Sequence, residues 1–230
     1  FSEIHYAVVN PLLKREVIRI PVQSQDLVAD SSLSDWIKKL QVLGFGPGLG
    51  RDSIGKKIAS FLFQDTNVPL VVDADGLYFI KPFLSNHHGK QLTLTPHLGE
   101  LSYLADLPIQ MIQENLVGTA IEYAKKWNTL LVLKSSTTVI ASPDGHYYIH
   151  PLSQSALAKG GSGDLLTGLI CGLQAQQADP FWAGVLGVYL HGLVAEIASN
   201  QKSSGAVLPS DMLMQLEPVL VNLEKSQPVS

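Results

Sequence analysis

Three times in the first hundred residues a short apolar run ends in a glycine-rich or acidic turn and gives way to a helical pattern. Val42-Leu43-Gly44-Phe45 leads through Gly46-Pro47-Gly48-Leu49-Gly50 into a run carrying Ile54, Ile58, Phe61 and Leu62. Leu70-Val71-Val72 ends in Asp73-Ala74-Asp75-Gly76, and Leu92-Thr93-Leu94 ends in Thr95-Pro96-His97-Leu98-Gly99-Glu100. Strands that alternate with helices pair in parallel, carry helices on both faces, and place their ligands at the carboxyl ends of the strands. The expected class is therefore α/β, with a mostly parallel central sheet and with these turns along its ligand edge.

The flanking segments fit that plan. Leu33, Trp36, Ile37 and Leu40 recur at helical spacing behind Ser31 or Ser32 as N-cap, which predicts a helix over 32–40. A longer helix is predicted over 109–127, then a strand at Leu130-Leu131-Val132-Leu133-Lys134. There the pattern changes to a hairpin, with Thr138-Val139-Ile140-Ala141 joined to Tyr147-Tyr148-Ile149 through the turn Pro143-Asp144-Gly145. Helices follow at about 163–174 and 180–199, and a final one after Ser210. With 230 residues and no composition break, the whole chain reads as a single domain.

Composition narrows the functional classes. Hydrophobic residues make up 46% and charged residues 16%, enough apolar material for a sheet buried on both faces. A net charge of -4 offers no basic surplus for phosphate backbones, so nucleic acid is not an expected partner. Cys171 is the only cysteine and sits among Leu169, Ile170 and Leu173, which predicts a small core residue in a reducing, cytoplasmic setting. The longest apolar stretches are broken by Gly, Thr, His or charge, and no membrane span is expected. Phe1-Ser2-Glu3-Ile4 has neither an initiator Met nor the look of a signal peptide.

The sharpest chemical feature is Ala158-Lys159-Gly160-Gly161-Ser162-Gly163-Asp164 running into the helical pattern Leu165-Leu166-Thr167-Gly168. Glycines let backbone N–H groups converge on an anion, and the start of the helix adds its unsatisfied N–H groups and positive dipole end. Asp164 at that point is favoured in its ionised form and is the candidate general base. A glycine turn in which Asp164 only caps the helix is the plain alternative. His97, between a proline and a glycine, is placed to donate to or accept from a polar substrate, or to serve structure alone. Lys134-Ser135-Ser136-Thr137-Thr138 offers one cation and four hydroxyls for ribose or phosphate. Asp73 and Asp75 are expected to organise their own turn or cap the next helix. His191, in an apolar helix, is expected to be a satisfied core residue.

In this order the pieces resemble the NAD(P)H-hydrate dehydratase family, repair enzymes related to the carboxy-terminal half of the YjeF proteins within the ribokinase-like superfamily. The resemblance rests on Gly46 to Gly50, Asp73-Ala74-Asp75, Thr95-Pro96-His97 with Gly99-Glu100, Lys134 with Thr138-Val139-Ile140, Ala158 to Asp164 with Thr167-Gly168, and His191-Gly192. It implies a ribokinase-like three-layer sandwich. Gly48, His97 and Asp164 would then contact hydrated NADH or NADPH, while Lys134, Ser135, Ser136, Thr137, Thr138 and Gly163 would hold ADP or ATP, with Mg²⁺ on the nucleotide. The nucleotide's phosphate would be used to expel the hydroxyl at C6 of the damaged ring.

The resemblance further leads to the expectation of a homo-oligomer, and it leaves open whether an epimerase domain precedes this chain in the parent protein. Ser135 stands where members commonly have glycine, and Leu98 where proline is usual. The family's leading strand-helix segment is missing ahead of Phe1, so nucleotide binding is expected to outlast catalysis. Two other readings share these motifs. One is a ribokinase-like kinase of a hydroxymethyl vitamin precursor, and the other a nucleotide-binding protein without turnover.

Overall fold

The computed structural model describes residues 2–7, 17–22, 37, 39–87, 89–151, 155–203 and 205–225. The helix expected over 32–40 lies largely outside them. A separate antiparallel pair, β1 (Ser2–Ala7) and β2 (Val17–Val22), was not expected from the sequence.

The main sheet has six strands in chain order: β3 (Leu43–Phe45), β4 (Leu70–Val72), β5 (Leu92–Leu94), β6 (Leu130–Leu133), β7 (Thr138–Ala141) and β8 (Tyr147–His150). The first four are parallel, and β6, β7 and β8 then run antiparallel as a meander. Between the parallel strands lie α1 (Ser53–Gln64), α2 (Asp75–Ile80), α3 (Leu98–Ala105), α4 (Ile109–Glu114) and α5 (Leu116–Trp127). After the meander come α6 (Ser162–Ala175), α7 (Pro180–Gln201), α8 (Pro209–Met214) and α9 (Leu216–Lys225).

Strand side chains alternate between faces, and this period of two separates the cores. Leu70, Val72, Leu131, Leu133, Val139 and Ala141 pack with Leu62, Leu77, Leu101 and Tyr123 of the first helix layer. Their strand neighbours Val71, Leu130, Val132 and Ile140 pack with Leu166 and Ile170 of α6 and Val188 of α7. The result is the expected three layers. Outside them, Leu190 and Val194 of α7 are covered by Met212 and Val219 from α8 and α9.

One expectation is corrected. The helix over 109–127 is broken at Asn115, whose backbone leaves the helical region (φ -141°, ψ 59°) and whose side chain accepts from the Gly118 amide to start α5. In addition α7, at 22 residues with a mean hydropathy of 1.5, is long and apolar enough to cross a bilayer. Its window is 56% buried between α6, the sheet and the outer helices, as in a core helix.

The turn between β4 and α2 is closed by the Gly76 amide donating to the Asp73 carbonyl at 3.0 Å. Ala74 occupies its second position at φ 48°, ψ -126°, the geometry that a type II′ turn reserves for glycine. Such a conformation costs a residue with a Cβ on the order of 1–3 kcal/mol. Ala74→Gly is therefore expected to raise the unfolding free energy by about 1 kcal/mol, after the added chain entropy of glycine, as measured by urea denaturation. An unchanged or lower midpoint would show that the turn is not strained.

Candidate active site

The turns after β3, β4 and β5, the end of β6 and the start of α6 meet at one edge of the sheet. Gly46 makes the meeting close: a Cβ there would lie 1.9 Å from the Asp73 carbonyl oxygen, and its φ is +122°. The loop and the Asp73 turn thus touch backbone to backbone, which only glycine permits. Beyond this contact Gly48 and Gly50 carry positive φ and open onto space, with nothing within 4 Å of a built Cβ.

Of the two roles expected for Asp73 and Asp75, capping is not found, since neither side chain caps α2, while the Asp73 carbonyl closes the turn. Asp73 is 2% exposed and reaches across the sheet. It accepts from Lys134 Nζ at 2.7 Å and from Thr167 Oγ1 at 3.0 Å. Asp75 reaches the other way, accepting from the Gly50 amide at 3.1 Å and from Arg51 Nε at 2.8 Å. One turn therefore fixes the glycine loop on one side and the lysine and α6 on the other. Both carboxylates were visible in the sequence, but the partners of Asp73 lie 61 and 94 residues away, beyond any local pattern.

Of the expected nucleotide residues, Lys134 and Gly163 are brought together. The Cβ position of Gly163 lies 3.4 Å from Lys134 Nζ and 3.2 Å from Asp73 Oδ2, so a Cβ there would press closely on the ion pair. Ser135 Oγ closes a local turn, donating to the Thr137 carbonyl and accepting from the Thr137 amide. Ser136 is exposed, and Thr138 begins β7. Asp164 follows Gly163 in the first turn of α6 and is exposed. No hydrogen bond or ion pair of its side chain is found among the described residues, in contrast to Asp73 and Asp75.

His97 joins the same edge through the Lys134 amide, which donates to the Pro96 carbonyl at 2.8 Å. Its Nδ1 accepts from the amides of Gly99 and Glu100 while Glu100 Oε2 accepts from the His97 amide, a capping box at the start of α3. In the neutral ring the proton then sits on Nε2, which lies 3.5 Å from Glu100 Oε1 on an otherwise exposed imidazole.

His191 is buried but not satisfied: its Nε2 has no partner among the described residues. Burial, with the Lys134 and His150 charges adding to it, pushes its pKa down to about 4 against a hydrogen bond with the Ser162 backbone. His150, opposite Thr138 in the ladder, is also buried, and neither ring nitrogen has a partner among the described residues. No local motif marks this second imidazole. Cys171 packs against Gly44, and burial raises its thiol pKa to about 12, so it is a core residue without nucleophilic character.

A mostly parallel α/β sandwich with a glycine loop, a lysine and a carboxylate at the start of a helix defines a ribokinase-like protein. A solved ribokinase-like superfamily protein from Enterococcus faecalis superposes with a TM-score of 0.72 at 26% identity, covering 83% of this chain and 66% of that one. The NAD(P)H-hydrate dehydratase family matches residues 7–218, and the chain belongs to that family. The bifunctional NAD(P)H-hydrate repair enzyme of Moorella thermoacetica is 41% identical over 196 residues, 84% of this chain and 37% of that protein. The chain thus spans less than half the length of that relative. The ADP/ATP-dependent NAD(P)H-hydrate dehydratase of Bacillus subtilis, crystallised with ATP and Mg²⁺, is 32% identical with a TM-score of 0.70, over 79% of this chain and 64% of that one.

The depressed pKa of His191 makes stability depend on pH. The unfolded ring binds a proton below about 6.5 and the folded ring only below about 4, so stability is full above pH 6.5 and falls as pH drops between these values. The loss attributable to this ring is about 3 kcal/mol at pH 4. His191→Gln should flatten the acid limb of urea-denaturation free energies between pH 7 and pH 4. An unaltered slope would assign the acid sensitivity to other groups.

Proposed function

We propose that this chain removes the hydroxyl from hydrated NADH or NADPH, consuming ADP or ATP, and so regenerates the reduced dinucleotide. The observation that carries the reading is the convergence at Gly163, where the Lys134 ammonium lies within 3.4 Å of the Cβ position and the next residue is Asp164, whose carboxylate has no partner among the described residues. A cation and helix N–H groups for a phosphoryl group thus stand beside a base for a hydroxyl. The names of the relatives in Moorella thermoacetica and Bacillus subtilis support the same chemistry.

Hydroxide leaves poorly from C6 of the ring. Asp164 takes the proton of that hydroxyl as its oxygen forms a bond to the terminal phosphorus of the nucleotide and the bridging P–O bond breaks. The C6–O bond then breaks with its electron pair leaving on phosphate, the C5 proton is lost to that phosphate, and the C5–C6 double bond returns. The α6 N-terminus and Lys134 stabilise charge on the moving phosphoryl group. His97, with its donor Nε2, and Gly48, with its open flank, face the dinucleotide, while Lys134 to Thr138 and Gly163 hold the nucleotide.

Among the described residues no three His, Cys, Asp or Glu side chains come together as a metal cage. Mg²⁺ would therefore be carried by the phosphate oxygens of the nucleotide, the usual mode for that ion. The bifunctional naming of the longer relative fits an epimerase domain in the parent protein as part of the same proposal.

Asp164→Asn keeps size and removes the base, so turnover of hydrated NADH with ADP should fall by about 10² while ADP affinity stays unchanged. Near-normal release of phosphate and NADH by that variant would exclude the base role. A phosphorylated alcohol accumulating in place of free phosphate would point instead to a kinase. Lys134→Ala should weaken ADP, read by calorimetry, about tenfold or more and hydrated NADH far less. The reverse preference would move the lysine to the other substrate.

A further inference from the structure

The geometry points to Arg51 as the contact for the phosphate-bearing part of the dinucleotide, an inference that rests on the dehydratase reading above. Arg51 follows directly on the open glycine loop and is held from two sides. Asp75 Oδ1 accepts from its Nε at 2.8 Å, while the Tyr78 ring lies under the guanidinium carbon at 3.3 Å. The same carboxylate fixes the loop itself through the Gly50 amide. Even so, the Arg51 side chain is 55% exposed.

An exposed arginine–aspartate pair contributes little to stability, so a surface ion pair alone does not account for such bracing. What bracing supplies is a guanidinium whose rotamer freedom is already restricted before any ligand arrives. Asp75 takes the Nε hydrogen and the Tyr78 side chain bonds the same guanidinium, which still leaves outer N–H groups for phosphate oxygens, a planar donor set that lysine does not have.

The turn over 73–75 decides which ligand it serves. Its Asp73 carboxylate holds the Lys134 ammonium, whereas its Asp75 carboxylate, sent the other way, holds Arg51 and the glycine loop. A nucleotide held at Lys134 and Gly163 does not put its reacting phosphate at Arg51. The dinucleotide can span the gap. From Asp164 the path runs to Gly163, across its 3.2 Å contact with Asp73, along two residues to Asp75, at most about 7.6 Å of chain, and on to Arg51. With the hydrated ring at Asp164, the ribose and pyrophosphate extend past Gly48 and Gly50 toward the guanidinium.

The test compares two hydrated ligands, hydrated NADH and hydrated reduced nicotinamide riboside, which has the same ring and no phosphate. Their dissociation constants are measured by calorimetry with ADP present, on the unaltered chain, Arg51→Ala and Arg51→Lys. Arg51→Ala removes a charge-assisted hydrogen bond to phosphate and is expected to weaken hydrated NADH about tenfold, leaving the riboside and ADP within about twofold. Arg51→Lys should recover part of that affinity. Equal weakening of both hydrated ligands, or none for the dinucleotide, overturns the assignment of Arg51 and leaves the dehydratase reading standing. An unaltered, folded chain that binds ADP but neither hydrated ligand overturns the dehydratase reading, and the Arg51 subsite with it.

Discussion

The arrangement of this site depends on one buried ion pair. Asp73 follows β4, Lys134 follows β6 and Thr167 lies on the second turn of α6, and their hydrogen bonds join three parts of the chain where Asp73 and Thr167 are buried and Lys134 is partly exposed. Leaving either charge there without the other would cost on the order of 3–5 kcal/mol, so the pair stands or falls together. Its geometry leaves little room beside residue 163, where a Cβ would lie against both charged groups. The first turn of α6, and Asp164 with it, is thereby set in relation to the sheet.

The second constraint is the turn that carries Asp73. Ala74, in a glycine-like conformation, lets residues 73 and 75 send their carboxylates to opposite sides, one toward Lys134 and one toward Gly50 and Arg51. Strain of this kind persists where the surroundings over-determine it. Here the surroundings are the Gly46 backbone on one side and the ion pair on the other. The strained residue lies between the two halves of the proposed site.

Much of the fold was legible because periodicity is a local property. The runs at 43–45, 70–72, 92–94 and 130–133, and the change to a hairpin after Lys134, follow from residue spacing alone, and the motif order carries the family. The break at Asn115 was not legible, because a single side chain competing for the Gly118 amide outweighs an otherwise helical pattern. Nor was the reach of Asp73 across the sheet, which depends on which strands lie side by side. The unsatisfied His191 and His150 were missed for a related reason. An apolar neighbourhood predicts burial, but it says nothing about whether a polar atom inside it finds a partner.

The meander has its own consequence for the proposed nucleotide loop. A parallel strand must hand the chain to a long crossover before the next strand, but β7 turns back beside β6 after only four residues. Residues 134–137 are thus pinned at both ends by ladder hydrogen bonds and inside by the turn that Ser135 makes with Thr137. A segment tied this way has little backbone freedom left to surrender. An incoming nucleotide would meet hydroxyls and amides already in place, and its affinity would reflect the contacts themselves more than the entropy of ordering a loop.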